Sequence, residues 1–168
     1  MRILVISDTH GQDRILDRLI EVVAPDRIYH LGDSENDCRY LKSIATCPVE
    51  MVSGNCDWYS DLPIKVVLEV GNHVLLLTHG HRFRCKSSYD GLMKEAKSVG
   101  ADYILYGHTH VAEIEKVKGY TIINPGSLTY PRSYDRRGTY AVLNVDKNGD
   151  IEAVIRYVDM LPAFKVYM

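Results

Sequence analysis

The chain has 168 residues, of which 46% are hydrophobic and 25% charged, and its formal net charge is −2. This length fits one domain, residues 1–168, with a substantial buried core. The balanced charge without a basic run argues against nucleic acid or a membrane surface as the partner, and no apolar stretch approaches the ~20 residues of a membrane-spanning helix.

Short apolar runs recur along the chain, and the first lies at the N-terminus. Ile3–Ile6 is predicted as a strand, because the segment MRILVIS lacks the cleavage pattern of a signal peptide. Four further runs of this kind are Arg27–Leu31, Glu50–Val52, Val74–Leu77 and Tyr103–Tyr106. Their near-continuous apolar character predicts strands that are covered on both faces.

Helical patterns lie between these strands. Arg14–Val23 predicts a helix that ends before Pro25. The apolar side chains on one face of this helix are Ile15, Leu19, Ile20 and Val23. Glu35–Ile44 predicts a second, weaker helix, and Ser88–Val99 a third that is stopped by Gly100 in the position favoured by helix caps.

The second half of the chain is rich in strand patterns. The predicted strands are Lys65–Val70, Ile114–Val117, Tyr120–Ile123, Thr139–Val145 and Ile151–Val158. Residues 146–149, Asp-Lys-Asn-Gly, predict a hairpin turn between the last two. The whole pattern predicts an α/β protein with two packed sheets flanked by helices.

A polar cluster follows each of the five buried strands. The carboxyl ends of parallel strands meet at one sheet edge, where α/β proteins bind ligands. The side chains expected there are Asp8, His10, Asp33, Asn55, His79, His81, His108 and His110. Carboxylates, imidazoles and an amide suit Mn, Zn, Fe, Co or Ni better than Ca. The donors outnumber the needs of one tetrahedral ion, which predicts two ions ~3.5–4 Å apart that share a carboxylate.

Formal charge supports a phosphate ligand at such a site. Two divalent ions bring four positive charges and the carboxylates of Asp8 and Asp33 two negative ones, so the centre is positive. It would attract a phosphate oxygen and lower the pKa of a bound water to about 7. Each fragment alone is typical of an ordinary turn, so the prediction depends on all five together.

The order of the fragments resembles that of the calcineurin-like metallophosphoesterase superfamily. The resemblance extends over residues 1–128 and includes Asp8-Thr9-His10, Gly32-Asp33, Gly54-Asn55, Thr78-His79-Gly80-His81 and Gly107-His108-Thr109-His110. Chain length, Gly-Asn-Cys-Asp at 54–57 and Asn-Pro-Gly-Ser at 124–127 resemble the small single-domain, YfcE-type phosphodiesterase branch.

The resemblance implies a four-layer αββα sandwich of two mixed β-sheets flanked by helices. It also implies two divalent ions per chain, with manganese the first expectation and nickel, cobalt, zinc, iron or magnesium as alternatives. The implied ligands are Asp8, His10 and His110 for the first ion, Asn55, His79 and His108 for the second, and Asp33 as the bridge. His30 and His73 are not expected to be ligands, since His30 lies inside a strand and His73 in a turn before one.

The implied activity is hydrolysis of phosphodiester bonds in a small phosphate ester, by in-line attack of a hydroxide that bridges the two ions. The residues predicted to act in catalysis are Asp33, Asn55, Cys56 and His81. One alternative is a phosphomonoesterase of broad specificity. Another is a non-catalytic scaffold protein, since a retromer subunit resembles this fold with degraded ligands. Here every ligand position is filled, which favours catalysis.

Cys56 departs from the family pattern, because many members have at this position a His that contacts substrate and can protonate the leaving group. A thiol has a pKa of ~8.5, which would fall further beside cations and make it a poor proton donor. The enzyme would then favour good leaving groups or take its acid from His81 or water. A packed side chain at Cys56 and a structural hydrogen bond at His81 are the alternatives.

Other features bear on location and assembly. Cys38, Cys47, Cys56 and Cys85 form no CxxC pair, which predicts reduced thiols and a cytoplasmic protein. Residues 130–137 are predicted as a surface loop, with the border of the site or a subunit contact as alternatives. The apolar tail, residues 160–168, could pack on the domain or on a second copy, which leaves a homodimer or homotetramer open.

Overall fold

In the computed structural model, residues 1–35, 37–58 and 60–161 are described. Within them the strands are, in chain order, β1 Arg2–Ile6, β2 Arg27–His30, β3 Val49–Met51, β4 Lys65–Val70, β5 His73–Thr78, β6 Tyr103–Leu105, β7 Ala112–Val117, β8 Tyr120–Pro125, β9 Thr139–Val145 and β10 Ile151–Tyr157. The α-helices are α1 Leu16–Val23, α2 Asp37–Ile44 and α3 Asp90–Val99. Short 3₁₀ turns cover Asp13–Ile15, His81–Phe83 and Val158–Met160.

The strands form two mixed five-stranded sheets. The first has the order β10-β9-β1-β2-β3 and the second β4-β5-β6-β8-β7. In the first sheet β1, β2 and β3 are parallel, and in the second β5, β6 and β8 are parallel. The carboxyl ends of the strands that precede the polar clusters therefore meet at one edge of each sheet.

Alternating side chains place each sheet between two apolar layers. In β1, Ile3 and Val5 belong to the cluster between the sheets, together with Leu75 and Leu77 of β5. Leu4 belongs instead to the cluster beneath the first two helices. A strand buried on both faces needs a continuous apolar run, and each fully buried aliphatic side chain contributes ~1.5–3 kcal/mol.

The helices cover the outer faces of the sheets. Leu19 of α1 and Leu41 of α2 pack on the outer face of the first sheet. Leu92 of α3 packs with Leu76 and Ile104 on the outer face of the second. The order helix, sheet, sheet, helix confirms the expected αββα sandwich.

The first helix begins later than its pattern predicts. A 3₁₀ turn precedes it, so Leu16 is fully buried while Ile15 packs at the edge of the core. The four residues of the predicted face all pack in this core, and Leu16 is a fully buried residue that the pattern did not include. The end of α3 is as expected, because Gly100 adopts φ 72° and its N–H donates to the Ala96 carbonyl.

The predicted hairpin turn connects β9 and β10. The Gly149 N–H donates to the Asp146 carbonyl at 3.2 Å, and Gly149 has φ 89°, which glycine adopts readily. Cys47, Cys56 and Cys85 carry free thiols, whereas the side chain of Cys38 lies outside the described part.

Assembly stays a prediction, because residues 162–168 of the apolar tail lie outside the described residues. Among the described helices none combines the length and apolar character needed to cross a membrane.

Candidate metal centre

Backbone hydrogen bonds join the loops that follow the parallel strands. The Asp8 N–H donates to the Gly32 carbonyl and the His10 N–H to the Asp33 carbonyl, both at 3.0 Å. In the second sheet the Gly107 N–H donates to the His79 carbonyl at 3.2 Å. These bonds fix the loop tips relative to one another, so the side chains they carry meet in a defined arrangement.

One group of side chains lies on the loops after β1 and β6. Asp8, His10 and His110 each direct one donor atom to a common point, and these atoms lie within 4.8 Å of one another. His110 Nε2 is 3.1 Å from Asp8 Oδ1 and 3.4 Å from His10 Nε2. This is the trio predicted to hold the first ion.

A second group lies beside the first. Asn55 Oδ1 is 3.2 Å from His79 Nε2, and the rings of His79 and His108 have centroids 5.1 Å apart. Asp33 Oδ2 lies 3.3 Å from His79 Nε2 and 3.9 Å from His10 Nε2. Asp33 therefore stands between the groups, and all seven predicted ligands lie around one small region.

In three of the histidines, a hydrogen bond at Nδ1 determines that the Nε2 lone pair points toward the centre. Each Nδ1 faces an oxygen acceptor: Leu31 O at 2.8 Å for His79, Tyr130 O at 2.6 Å for His110 and Glu35 Oε1 at 3.0 Å for His10. An Nδ1 that faces a carbonyl or carboxylate carries the ring proton, so the neutral ring presents the Nε2 lone pair to the centre. This is the form in which imidazole binds metals.

Two observations show that these residues fit a divalent ion. The Nε2 atoms of His10 and His110 face each other at 3.4 Å, where two lone pairs repel unless a cation lies between them. Asp8 is fully buried, yet its Oδ1 accepts no hydrogen bond from any described residue. A buried carboxylate oxygen without a donor is costly, and a bound cation removes that cost.

The backbone at the predicted ligands is strained. Five of the seven adopt left-handed conformations: Asp8 with φ 55°, His10 with 48°, Asp33 with 54°, His108 with 69° and His110 with 61°. This region costs a residue with a side chain ~1–2 kcal/mol. Such strain persists only where the surrounding structure enforces it, and it concentrates at functional sites.

Asp57 enforces part of this arrangement. Its buried carboxylate accepts hydrogen bonds from the N–H groups of Asp33 at 2.8 Å, Gly54 at 2.7 Å and Glu35 at 2.7 Å, and from the Ser34 hydroxyl at 3.2 Å. Asp57 therefore joins the loops after β2 and β3. The sequence analysis missed this role, because the position of a carboxylate two residues after Asn55 does not indicate that it accepts buried N–H groups.

Two glycines allow the backbone to approach the carboxylates closely. A Cβ atom at Gly54 would lie 2.1 Å from Asp33 Oδ1, and one at Gly107 would lie 2.0 Å from Ser7 Oγ and 2.8 Å from Asp8 Oδ2. The predicted Gly-Asn and Gly-His pairs therefore need glycine because a larger residue would displace a predicted ligand.

The charged groups of the centre stabilise one another. Burial raises the pKa of Asp33, but His79 and the Cys56 N–H lower it further, so Asp33 is ionised. Burial lowers the pKa of His79, but the carboxylates of Asp33 and Asp8 raise it by more, so the net shift is upward. The two carboxylates therefore favour positive charge at this position. Burial, together with the side chains of His79 and Lys86, lowers the pKa of His108 to about 4, so the His108 ring is neutral.

Cys56 and His81 also lie at the centre. The Cys56 N–H donates to Asp33 Oδ1 at 2.7 Å, and burial together with Asp33 raises the pKa of its thiol to about 11. The expected lowering of this pKa depends on bound cations and stays a prediction. The His81 ring lies 5.3 Å from that of His79, and its buried Nδ1 has no hydrogen-bond partner among the described residues.

Two further histidines lie outside the ligand groups. His30 is fully buried in β2 and hydrogen-bonds Thr9 Oγ1 at 3.0 Å. His73 is the first residue of β5, so its placement in a turn was wrong, and its Nδ1 pairs with Asp102 at 2.6 Å. His73 thus lies at the opposite end of the strand from His79.

Comparisons with known proteins agree with this geometry. Residues 1–148 match the calcineurin-like phosphoesterase superfamily domain. The chain is 35% identical over 161 residues to the probable metallophosphoesterase YsnB of Bacillus subtilis, which covers 95% of this chain and 91% of the relative. A crystal structure of a predicted phosphoesterase from Streptococcus pneumoniae superposes with a TM-score of 0.80 at 30% identity, covering 94% and 90% of the two chains. Vacuolar protein sorting-associated protein 29 of Schizosaccharomyces pombe is 30% identical over 137 residues, 77% of this chain and 73% of the relative.

Proposed function

Since this chain belongs to the calcineurin-like phosphoesterase superfamily, we propose that it hydrolyses phosphodiester bonds with the help of two divalent ions. The observation that supports this proposal is the convergence of the seven predicted ligand side chains, with Asp33 between the two groups. Their carboxylate, imidazole and amide donors are those that borderline divalent metals prefer.

The two groups of side chains divide the ligands between two ions. Asp8, His10 and His110 would hold one, and Asn55, His79 and His108 the other, with Asp33 contributing to both. Bound divalent ions would supply Lewis acidity, which lowers the pKa of water and neutralises charge on phosphoryl oxygens. Manganese is the first expectation, with nickel, cobalt, zinc, iron and magnesium as alternatives.

The chain itself supplies orientation and charge. The carbonyls of Leu31 and Tyr130 keep the rings of His79 and His110 in the metal-binding tautomer. The Cys56 N–H holds the Asp33 carboxylate in place. His81 would hold or donate a proton beside His79; its buried Nδ1, which has no hydrogen-bond partner among the described residues, is the observation that supports this role.

Activity with defined metals tests the proposal. The purified protein is loaded in turn with Mn, Ni, Co, Mg and Zn, its metal content is measured, and hydrolysis of bis(p-nitrophenyl) phosphate is compared with that of p-nitrophenyl phosphate. We expect two ions per chain and a preference for the diester. A preference for the monoester would support the broad phosphomonoesterase alternative instead.

Variants of the ligands provide the matching control. Asp8→Asn and His108→Ala should each lower kcat/KM by about 100-fold or more, because each removes a donor to an ion that acts in the reaction. His73→Ala removes a histidine at the far end of β5 and should retain activity. Activity of either ligand variant close to that of the wild type, in excess metal, would contradict the assignment.

The similarity to a vacuolar sorting protein favours one second function, that of a scaffold which binds other proteins. The same measurements separate the two. A folded protein that binds no divalent ion and hydrolyses no phosphate ester would support the scaffold. Two bound ions with metal-dependent turnover would exclude a purely structural role.

A further inference from the structure

A cavity of about 500 Å³ adjoins the candidate metal centre. The ligands His10 and His110 form part of its lining, and Tyr130, Arg132 and Arg136 of the loop between β8 and β9 form another part. This volume lies within the range of pockets that bind small molecules, ~300–1,000 Å³. Residues 130–132 and 136 of this largely exposed loop therefore border the site, which supports the alternative left open for the segment 130–137.

This loop is attached directly to a predicted ligand. His110 Nδ1 donates to the Tyr130 carbonyl at 2.6 Å, and the Arg132 N–H donates to the His110 carbonyl at 3.0 Å. The Tyr130 ring also packs edge-on against that of His10, with centroids 5.5 Å apart. The backbone that carries the arginines thus has a fixed position relative to the metal centre.

The two arginines of the cavity have charges that the described protein does not neutralise. Neither arginine forms an ion pair with a described residue, and the one hydrogen bond of the Arg136 guanidinium to the described residues goes to the Pro131 carbonyl at 3.5 Å. Arg137 differs, because its guanidinium binds both carboxylate oxygens of Asp159 at 2.9 and 2.8 Å. Two arginine side chains that line the same cavity are therefore available to a ligand.

The remaining charge in the cavity lining is already engaged. Glu35 is the carboxylate that the described lining contains, and it accepts a hydrogen bond from His10 Nδ1 at 3.0 Å. The lining thus carries two guanidinium charges against one carboxylate charge, so its net charge is positive. A phosphate monoester carries about −1.5 to −2 charges near pH 7, and the forked guanidinium binds its oxygens in pairs.

We propose that this cavity binds a second phosphate group of the substrate, between Arg132 and Arg136. The substrate class is a phosphodiester that carries a second phosphate group, with the diester at the metal centre and the second phosphate in the cavity. This inference rests on the proposed phosphoesterase activity and adds the feature by which the enzyme selects its substrate.

Matched substrate pairs test this selection. We would measure kcat/KM in excess Mn for two phosphodiesters that carry a second phosphate group, here called bisphosphates, each against the same diester without that group. The pairs are thymidine 3′-phosphate 5′-(p-nitrophenyl phosphate) against thymidine 5′-(p-nitrophenyl phosphate), and 5′-phosphorylated thymidylyl-thymidine against thymidylyl-thymidine. The wild type should prefer the bisphosphate in at least one pair. The preference ratio should fall about tenfold in each of Arg132→Gln and Arg136→Gln, which is the loss expected for one charged hydrogen bond at an exposed position. Arg137→Gln in the same loop should keep the ratio.

A binding measurement separates this inference from the proposed activity. Propane-1,3-bisphosphonate and propylphosphonate have carbon–phosphorus bonds that a phosphoesterase does not cleave, so their affinities can be measured by calorimetry without turnover. Tighter, Arg132-dependent binding of the bisphosphonate supports the cavity even if no ester is hydrolysed, an outcome that would refute the activity alone. Hydrolysis without preference in either pair, or a ratio that both arginine variants leave unchanged, would overturn the cavity assignment.

Discussion

Acid should destabilise this protein through His30. The ring is fully buried, its Nε2–H donates to Thr9 Oγ1 at 3.0 Å, and its Nδ1 accepts from the Gly32 N–H at 3.2 Å. A second ring proton would face the Gly32 N–H and leave a buried charge without a bonded partner. Burial accordingly lowers the pKa of His30 from 6.5 to about 4, although Asp57 and Asp8 oppose it.

The direction of the effect follows from proton uptake. In the unfolded chain His30 takes up a proton near pH 6.5, whereas in the folded protein it does so near pH 4. Between these values the unfolded chain binds more protons, so the free energy of unfolding falls as the pH falls. The stability that His30 contributes by staying neutral is fully present above about pH 6.5 and is lost as the pH falls toward 4. The full loss is about 3 kcal/mol, of which about 2 kcal/mol falls between pH 7 and pH 5.

Urea unfolding of the wild type and of His30→Gln measures this contribution. The glutamine amide can still donate to Thr9, but it does not titrate. With a chelator present at every pH, so that metal binding does not contribute, the wild type should lose about 2 kcal/mol more than the variant between pH 7 and pH 5. If the two stabilities fell in parallel with pH, the argument from burial would be refuted.

Three further substitutions test the architecture of the centre. Asp57→Asn replaces an acceptor of backbone N–H groups, so the free energy of unfolding in urea should fall by about 1–3 kcal/mol and calorimetry should show weaker Mn binding. An unchanged Mn affinity would contradict the positioning role of Asp57. Gly107→Ala forces a Cβ against Ser7 and the Asp8 carboxylate, so Mn affinity should fall about tenfold or more, and a value equal to that of the wild type would show that the loop can adjust. Cys56→His places a proton donor beside Asn55 and should make the rate less dependent on the leaving-group pKa, whereas an unchanged slope would indicate that Cys56 lies away from the leaving group.

Much of the secondary structure could be predicted from the sequence, because a strand buried on both faces needs an unbroken apolar run. The predicted Ile3–Ile6 and the observed Arg2–Ile6 differ by one residue. The pairing of β1 with β9 could not be predicted, because these strands lie more than 130 residues apart and local periodicity does not select partners. Leu16 was not included in the predicted apolar face of this helix, because a 3₁₀ turn over Asp13–Ile15 replaces the first turn that the pattern predicted.

The candidate site was predictable for a different reason. Donors that directly follow parallel strands gather at one edge of their sheet, which places Asp33 at that edge of the first sheet and His79 at that edge of the second. The residues that hold these donors in place were not predictable in the same way. Asp57 and Glu35 are carboxylates in loops, and a sequence does not distinguish a carboxylate that accepts buried N–H bonds from one that faces solvent.

The left-handed backbone at the predicted ligands affects how the centre would bind divalent ions. The two packed sheets meet the energetic cost of these torsions during folding, so an incoming cation finds donors already aimed and needs to reorganise little. Fast association of the ion and selection among metals by ligand spacing are then gained at a cost in the thermal stability of the loops. The folded protein therefore has a lower free energy of unfolding than its core alone would give, and in return its metal site is preorganised.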